Sequence, residues 1–248
     1  MAYDFVYTDE LEKACRKTLG SNLKEYEANV KKNVLENKGT YNTLKSRYDG
    51  SEGIFDNLEL LNKFGVASED IFNTLRRYST LSYSIGGSHA YRDFSINKKF
   101  NISSSGAKDI NSYAYSSHLK VTNLYNNLMR QIVYSAIKNG KSFDQFILAF
   151  YSYHDFKKAD SIKFGELPSK SNILHNLGTR LVSLWNTIGR LAGYRRTKVV
   201  TEFQYRTRQD ERVSTICAPW HGRILTPKET IGLIPQHRNC RCTLVPFR

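Results

Sequence analysis

Cys217, His221, His237, Cys240 and Cys242 gather the soft and borderline donors of the chain in the order C-x3-H-x15-H-x2-C-x-C. Three of the four cysteines of this 248-residue protein fall in that stretch. Thiolates and neutral imidazoles are the ligands zinc prefers, and four of them close a tetrahedral structural site. Cys217, His237 and Cys240 would supply three corners, and Cys242 or His221 the last. Such a clamp has a physical use, because a loop-rich module of about 40 residues buries too little apolar surface to hold itself together. Cys240 and Cys242 are two apart, which on a strand puts both thiols on one face and Arg241 on the other. The alternative is a reduced, buried thiol cluster packed against Trp220 and Leu244, with the histidines hydrogen-bonded.

Catalysis is the weaker reading of the same residues. His221 and His237 with Asp210 or Glu211 are ingredients of a hydrolase or a metal-dependent nuclease. No nucleophile is fixed, however, and neither H-E-x-x-H nor a paired-carboxylate spacing occurs. A thiol enzyme needs its cysteine and histidine in contact. Asp210-Glu211-Arg212 reads more simply as a turn in which Arg212 bridges a carboxylate. The expectation is a protein that is not an enzyme. Gly86-Gly87-Ser88 lacks the Gly-Lys-Ser/Thr of a phosphate loop, and His89, His118 and His154 read as surface histidines. Cys15 falls on an apolar helical phase and reads as a small buried hydrophobe.

The elements that must position this tail read as mostly α, in an α+β arrangement: a helical body with a small Cys/His-rich carboxy-terminal module containing short strands. Leu11, Cys15, Leu19, Leu23, Tyr26, Val30 and Val34 recur every three or four residues, which predicts a helix capped by Thr8 or Asp9 and ended near Gly39. Gly20-Ser21 is a place where it could divide. Residues 40–67 read as short and turn-rich, with Asp49-Gly50-Ser51, Gly53 and Gly65 as punctuation. A short helix capped by Ser68 carries Ile71, Phe72, Leu75 and Tyr78. Residues 80–106, rich in Tyr, Ser, Asn and Gly, read as a long loop or flexible arm.

The helical period returns over about 112–139, with Val121, Leu124, Leu128, Ile132, Ala136 and Ile137. Gly140 stops that helix, and Ser142 with Gln145 forms a capping box for the next one, which carries Phe146, Ile147 and Phe150. A polar connector at 157–169 divides the chain best. The expected organisation is therefore a helical region at 1–106, a helical middle at 107–169, and a tail domain at 170–248. The last begins with an amphipathic helix bearing Ile173, Leu174, Leu177, Leu181, Trp185, Ile188 and Leu191, extended through Thr201-Glu202-Phe203. Arg223-Ile224-Leu225 and Cys242-Thr243-Leu244-Val245 are expected to pair as strands around a turn at Pro227.

A formal net charge of +14 argues for an anionic partner, nucleic acid or an acidic protein surface, though no dense Lys/Arg run is present. Arg180, Arg190, Arg195, Arg196, Lys198, Arg206 and Arg208 are the candidate contacts. The bland account of the same residues is the solvated side of a core helix. Tyr and Phe are plentiful, at 16 and 13, and suit broad contact surfaces. No apolar run reaches the roughly 20 residues a membrane span needs, and the acidic start does not read as a secretory signal, so a cytosolic origin without membrane contact is expected.

One resemblance stands out along the tail. Asp210-Glu211-Arg212-Val213, Cys217, the Gly222 turn, Ile234-Pro235, His237, Asn239, Cys240, Arg241 and Cys242 occur in that order. Together they resemble the signature that closes phage head morphogenesis proteins, the minor head proteins of the phage Mu type. The likeness runs over about Leu174–Pro246 and includes the Thr201-Glu202 pair. It departs at Ser214, where many relatives carry a cysteine; a serine gives no thiolate, so a four-ligand site here would draw on His221 or His237. The resemblance implies a structural virion protein present in few copies inside the head at the portal vertex. Its partners would be the portal protein or the major capsid protein, with a part in DNA packaging or delivery. Packaged DNA would be met through non-specific phosphate contacts. A zinc-stabilised nucleic-acid-binding protein is the alternative.

Overall fold

A computed structural model describes residues 5–48, 50, 58–65, 68–153, 170–208, 213–237 and 240–247. The expected connector at 157–169, the turn residues Asp49, Ser51 and Gly53, His154, Asp210-Glu211-Arg212 and Asn239 lie outside the described residues. The elements in order are α1 (Phe5–Glu36), α2 (Lys38–Ser46), α3 (Leu58–Asn62), α4 (Glu69–Asp93), α5 (Ser104–Lys138), α6 (Phe143–Tyr153) and α7 (Lys170–Thr197). Then follow β1 (Glu202–Arg206), a single 3-10 turn (Ala218–Trp220), β2 (Ile224–Leu225) and β3 (Thr243–Phe247). The mostly helical body and small stranded tail expected from the sequence are both present. No described helix is long and apolar enough to cross a membrane.

The chain forms two compact units, each drawn from separate stretches, whereas the expected division followed chain order. One comprises Met1–Gly20, Ile71–Ser117 and Ser171–Arg248; the other comprises Ser21–Asp70 and His118–Lys170. The second unit is an aromatic assembly. Leu23, Tyr26, Val30 and Val34 from α1 are buried there, as are Val121, Tyr125, Met129 and Val133 from α5. Tyr26 and Tyr125 meet edge to face at 5.3 Å, and Tyr41 stacks on Phe146 at 4.8 Å. The capping box forms as expected: Gln145 N donates to Ser142 Oγ at 3.2 Å, and Ser142 N donates to Gln145 Oε1 at 2.9 Å. His118 is half-buried rather than a surface residue, and desolvation pushes its pKa down.

Several expectations change in the helices. α1 begins at Phe5, before Thr8 and Asp9, and runs unbroken through Gly20. α1 ends at Glu36, close to the expected stop, while Gly39 itself lies within α2. Residues 80–93, expected to be loop, are the second half of α4, and Ser103 opens α5 by accepting from Gly106 N at 3.1 Å. The reason is packing. A β-carbon at Gly86 would strike the Asn186 carbonyl, and one at Gly189 would strike that of Tyr83. The glycines therefore let α4 and α7 approach backbone to backbone, and tertiary contact outweighs their low helix propensity. α7 in turn is buried on more than one side: Thr179, Asn186, Thr187 and Arg190 are buried along with Leu181, Val182, Trp185 and Tyr194.

α7 ends where Lys198 takes a left-handed conformation (φ 56°). Thr201-Glu202-Phe203, expected to prolong the helix, instead leads into β1. The sheet order is β2-β1-β3, with both neighbours antiparallel to β1. The expected β2–β3 pairing is thus replaced by a central strand between them: Phe203 lies opposite Leu225 on one side and Pro246 on the other. Phe203 and Tyr205 are buried while Glu202 is exposed, the alternation of a strand with one covered face. That face packs with Ala90 of α4 and with Leu191 and Tyr194 of α7 in one apolar core that also takes in Cys217, Cys240 and Cys242.

Candidate metal centre

The loop after β1 returns to it twice. Gly222 N donates to the Tyr205 carbonyl at 2.8 Å, and Tyr205 N donates to that of Arg223 at 2.9 Å. Gly222 has φ +84°, a conformation open to glycine and strained for other residues. The 3-10 turn just before it starts from Cys217, whose N–H donates to the Ser214 carbonyl at 2.9 Å. The second half of the site comes from the chain entering β3. There Cys240 N donates to the His237 carbonyl at 3.2 Å, which ties the imidazole-bearing residue to the thiol-bearing one. The Ile234–Pro235 peptide just upstream is cis.

The ligand atoms of Cys217, Cys240 and Cys242 all lie within 4.8 Å of one another, and all three residues are buried. Cys217 Sγ and Cys240 Sγ are 3.8 Å apart, and His237 Nε2 is 3.0 Å from Cys217 Sγ. Tyr205 forms the floor, its hydroxyl donating to Cys217 Sγ at 3.5 Å. The thiols divide the available charge unequally. A hydrogen bond from Cys242 is the main cause pulling Cys240 down to about 5. The same bond, followed by burial, pushes Cys242 far up. Burial also pushes Cys217 up.

This donor set can hold a metal ion. Two sulfurs bound to one tetrahedral ion at about 2.3 Å stand about 3.8 Å apart, the separation of Cys217 and Cys240. A cation would also supply the charge that full deprotonation of the thiols requires. The sequence brought the three thiols and His237 into one candidate set, and the fold brings the same residues together. His221 does not join them. Its Nδ1 accepts from Thr207, at 3.1 Å from the backbone N–H and 2.8 Å from the hydroxyl, so it ties the loop to the end of β1. Tyr205 was the residue missed, although the spacing of Phe203 and Tyr205 already carried the strand period.

The seven candidate basic contacts separate. Arg180, Arg195, Arg196 and Lys198 are exposed. Arg196 lies 4.7 Å over the Phe100 ring and donates to the Asn101 carbonyl at 2.7 Å. Arg190, expected on the solvated side, is only 5% exposed, because α4 covers that side of α7. Its Nη2 donates to His89 Nδ1 at 2.8 Å, its Nε donates to Asn186 Oδ1 at 3.3 Å, and its Nη1 is 3.9 Å from Asp93. His89 is therefore a buried residue too, acting as an acceptor on Nδ1. Arg206 and Arg208 are half-buried, and Arg208 grips Asp9 with two bonds of 3.0 and 2.7 Å. Comparison with family models, curated proteins and solved structures finds no match to this chain.

Proposed function

We propose that the protein is a structural minor head component of a tailed phage, acting at the portal vertex in head assembly and DNA packaging or delivery. The resemblance of the tail to the Mu-type signature is the root of this reading. The observation that supports it is convergence: Cys217, His237, Cys240 and Cys242, scattered along the signature, meet in one buried cluster, with the Gly222 turn clasped to the same strand. Residues that build a module, rather than line a substrate cleft, suit a part whose task is attachment. The module's core is continuous with α4 and α7, so the helices present it as a fixed unit.

The ion we propose for the thiol cluster is zinc, held by Cys217, Cys240, Cys242 and His237. When bound, zinc closes a small loop-rich module by ligation where apolar burial is limited. Contact between Cys217 and His237 invites comparison with a thiol-enzyme pair. Three features argue for structure instead. Cys217 is 1% exposed, burial pushes its thiol up rather than down, and the space beside the pair is about 10 Å³. An activated cysteine needs the opposite on each count. Partner contact falls to the exposed Arg180, Arg195, Arg196 and Lys198, through salt-dependent phosphate contacts to packaged DNA or through an acidic wall of the portal or capsid.

The test is location in an intact particle. Density accounting for this chain at the portal vertex is the expected result, with the tail module ordered. A particle in which the chain is absent, or in which that module is disordered, overturns the reading. Metal analysis of the purified chain tests the ion separately, with one zinc per chain expected. If zinc is stoichiometric and the particle lacks the protein, while isolated protein binds DNA with strong salt dependence, the zinc-stabilised nucleic-acid-binding alternative replaces the head protein.

A further inference from the structure

The segment joining α4 to α5 is fastened to the end of α7 by a single aromatic ring. Phe100 is 4% exposed, and a β-carbon at Gly87 would come 2.3 Å from it, so the missing side chain is what admits the ring. Tyr83 and Tyr91 of α4 pack against it at 5.8 and 5.4 Å. Arg196 closes the stack from α7: its guanidinium lies 4.7 Å over the ring and donates to the Asn101 carbonyl at 2.7 Å. Lys98 and Lys99, the two residues before that ring, are exposed, as are Arg195, Arg196 and Lys198. The fold thus joins two short basic stretches, far apart in the chain, into one face that neither announces by itself.

The bland accounts cover only part of this face. Cations in the last turn of a helix offset its macrodipole, which explains Arg195 and Arg196 on α7. Lys98 and Lys99 belong to no helix. Acids do not absorb the charge either. Burial raises Tyr83, Arg196 and Arg195 pull it down and Asp109 pushes it up, so one carboxylate stands among these cations. Glu202 opens β1 four residues after Lys198, and Asp93 is held by Tyr194 and Arg190. The face stays positive. What points outward also selects the partner. Val199 is exposed at its rim, but the central ring lies inside, under Arg196, where no base can stack on it. Single-stranded sites depend on such stacking, whereas a duplex presents phosphates alone to a basic surface.

We propose that Lys98, Lys99, Arg195, Arg196 and Lys198 form one face that binds the phosphate backbone of double-stranded DNA without reading sequence. The inference rests on the phosphate contacts of the proposed function and narrows them: Arg180, about four turns back along α7, is left outside. It is independent of the ion at the thiols. The test uses the full chain and a fluorescent mixed-sequence duplex of about 20 base pairs, followed by anisotropy from about 50 to 200 mM salt. Five phosphate contacts predict a log–log salt slope of about −4.5. Lys98→Gln with Lys99→Gln should make that slope shallower by about 2 and weaken binding at least about tenfold at the low-salt end. Both side chains are exposed, so the melting temperature should hold. Lys24→Gln with Lys138→Gln removes the same charge from exposed positions of the other compact unit, and should change affinity by less than about twofold. Equal losses in the two pairs, or a wild-type slope shallower than about −1, would overturn the face. A single strand of equal length binding more tightly than the duplex overturns the duplex assignment. Poly-glutamate that displaces the duplex at equal charge identifies an acidic protein surface instead. Duplex binding by a chain absent from the portal vertex leaves this face standing and removes the head role; a chain at the vertex that binds no duplex does the reverse.

Discussion

The seam between α4 and α7 and the carboxy-terminal module both bury polar groups, and they treat them in opposite ways. In the seam the Arg190 guanidinium is met by His89, Asn186 and Asp93, and the Tyr194 hydroxyl also donates to Asp93. Opposite charges lie close, and glycines let the two backbones meet beside a tilted Tyr83–Trp185 ring contact at 6.1 Å. In the module three thiols turn chiefly to one another, with one tyrosine and one histidine at their margin. Arg208 and Arg241 line the small space beside Cys217 and Cys242. The seam pairs its buried guanidinium within the chain; the module gathers three soft donors that could hold a cation from outside.

The sharpest way to break that contrast is Cys240→Ser. With zinc at the thiols, losing one ligand should destabilise the module by about 4 kcal/mol or more. Protease cleavage should open residues 213–247 while the helices hold, and the zinc content should drop. A loss under about 1 kcal/mol would mean the module completes itself as the seam does. Next in size is Gly86→Ala, where the added methyl meets the Asn186 carbonyl and lies 2.9 Å from Arg190 N. Backbone cannot move aside as a side chain can, so a cost of about 3 kcal/mol is expected from chemical denaturation, without any change in metal content. The smallest effect is that of Tyr205→Phe, which removes the hydroxyl bonded to Cys217 Sγ. A loss of about 1 kcal/mol is expected, with metal still bound. A complete loss of metal in that variant would make Tyr205 part of the site rather than its floor.

Much of this was legible in local pattern. Spacings of three and four located the buried residues Cys15, Leu19, Leu23, Tyr26, Val30 and Val34 on α1, and the Ser142/Gln145 box appears bond for bond. Cys15 is buried as expected, its thiol pushed up to about 12 by desolvation with Glu12 adding to the effect. The failures share one cause. Gly86-Gly87 and the Ser/Tyr-rich run around it suggest a loop because glycine weakens an isolated helix; here the absent side chains are what allow α7 to come close. Arg190 suggests a solvated face because nothing in its own helix announces that His89 and Asp93, about a hundred positions earlier, will enclose it.

The site divides in the same way. Residue type and order by themselves gathered three thiols, His221 and His237 into one candidate module, because sulfur and imidazole so concentrated have few other uses. They also determined that the body is helical, because the apolar period is a property of neighbours along the chain. Only the tertiary structure decided that β1 stands between the two strands expected to pair, that His221 serves Thr207 instead of the thiols, and that Arg190 is enclosed. Each of these depends on which distant backbone arrives alongside, and contact between residues far apart in sequence leaves no period to read.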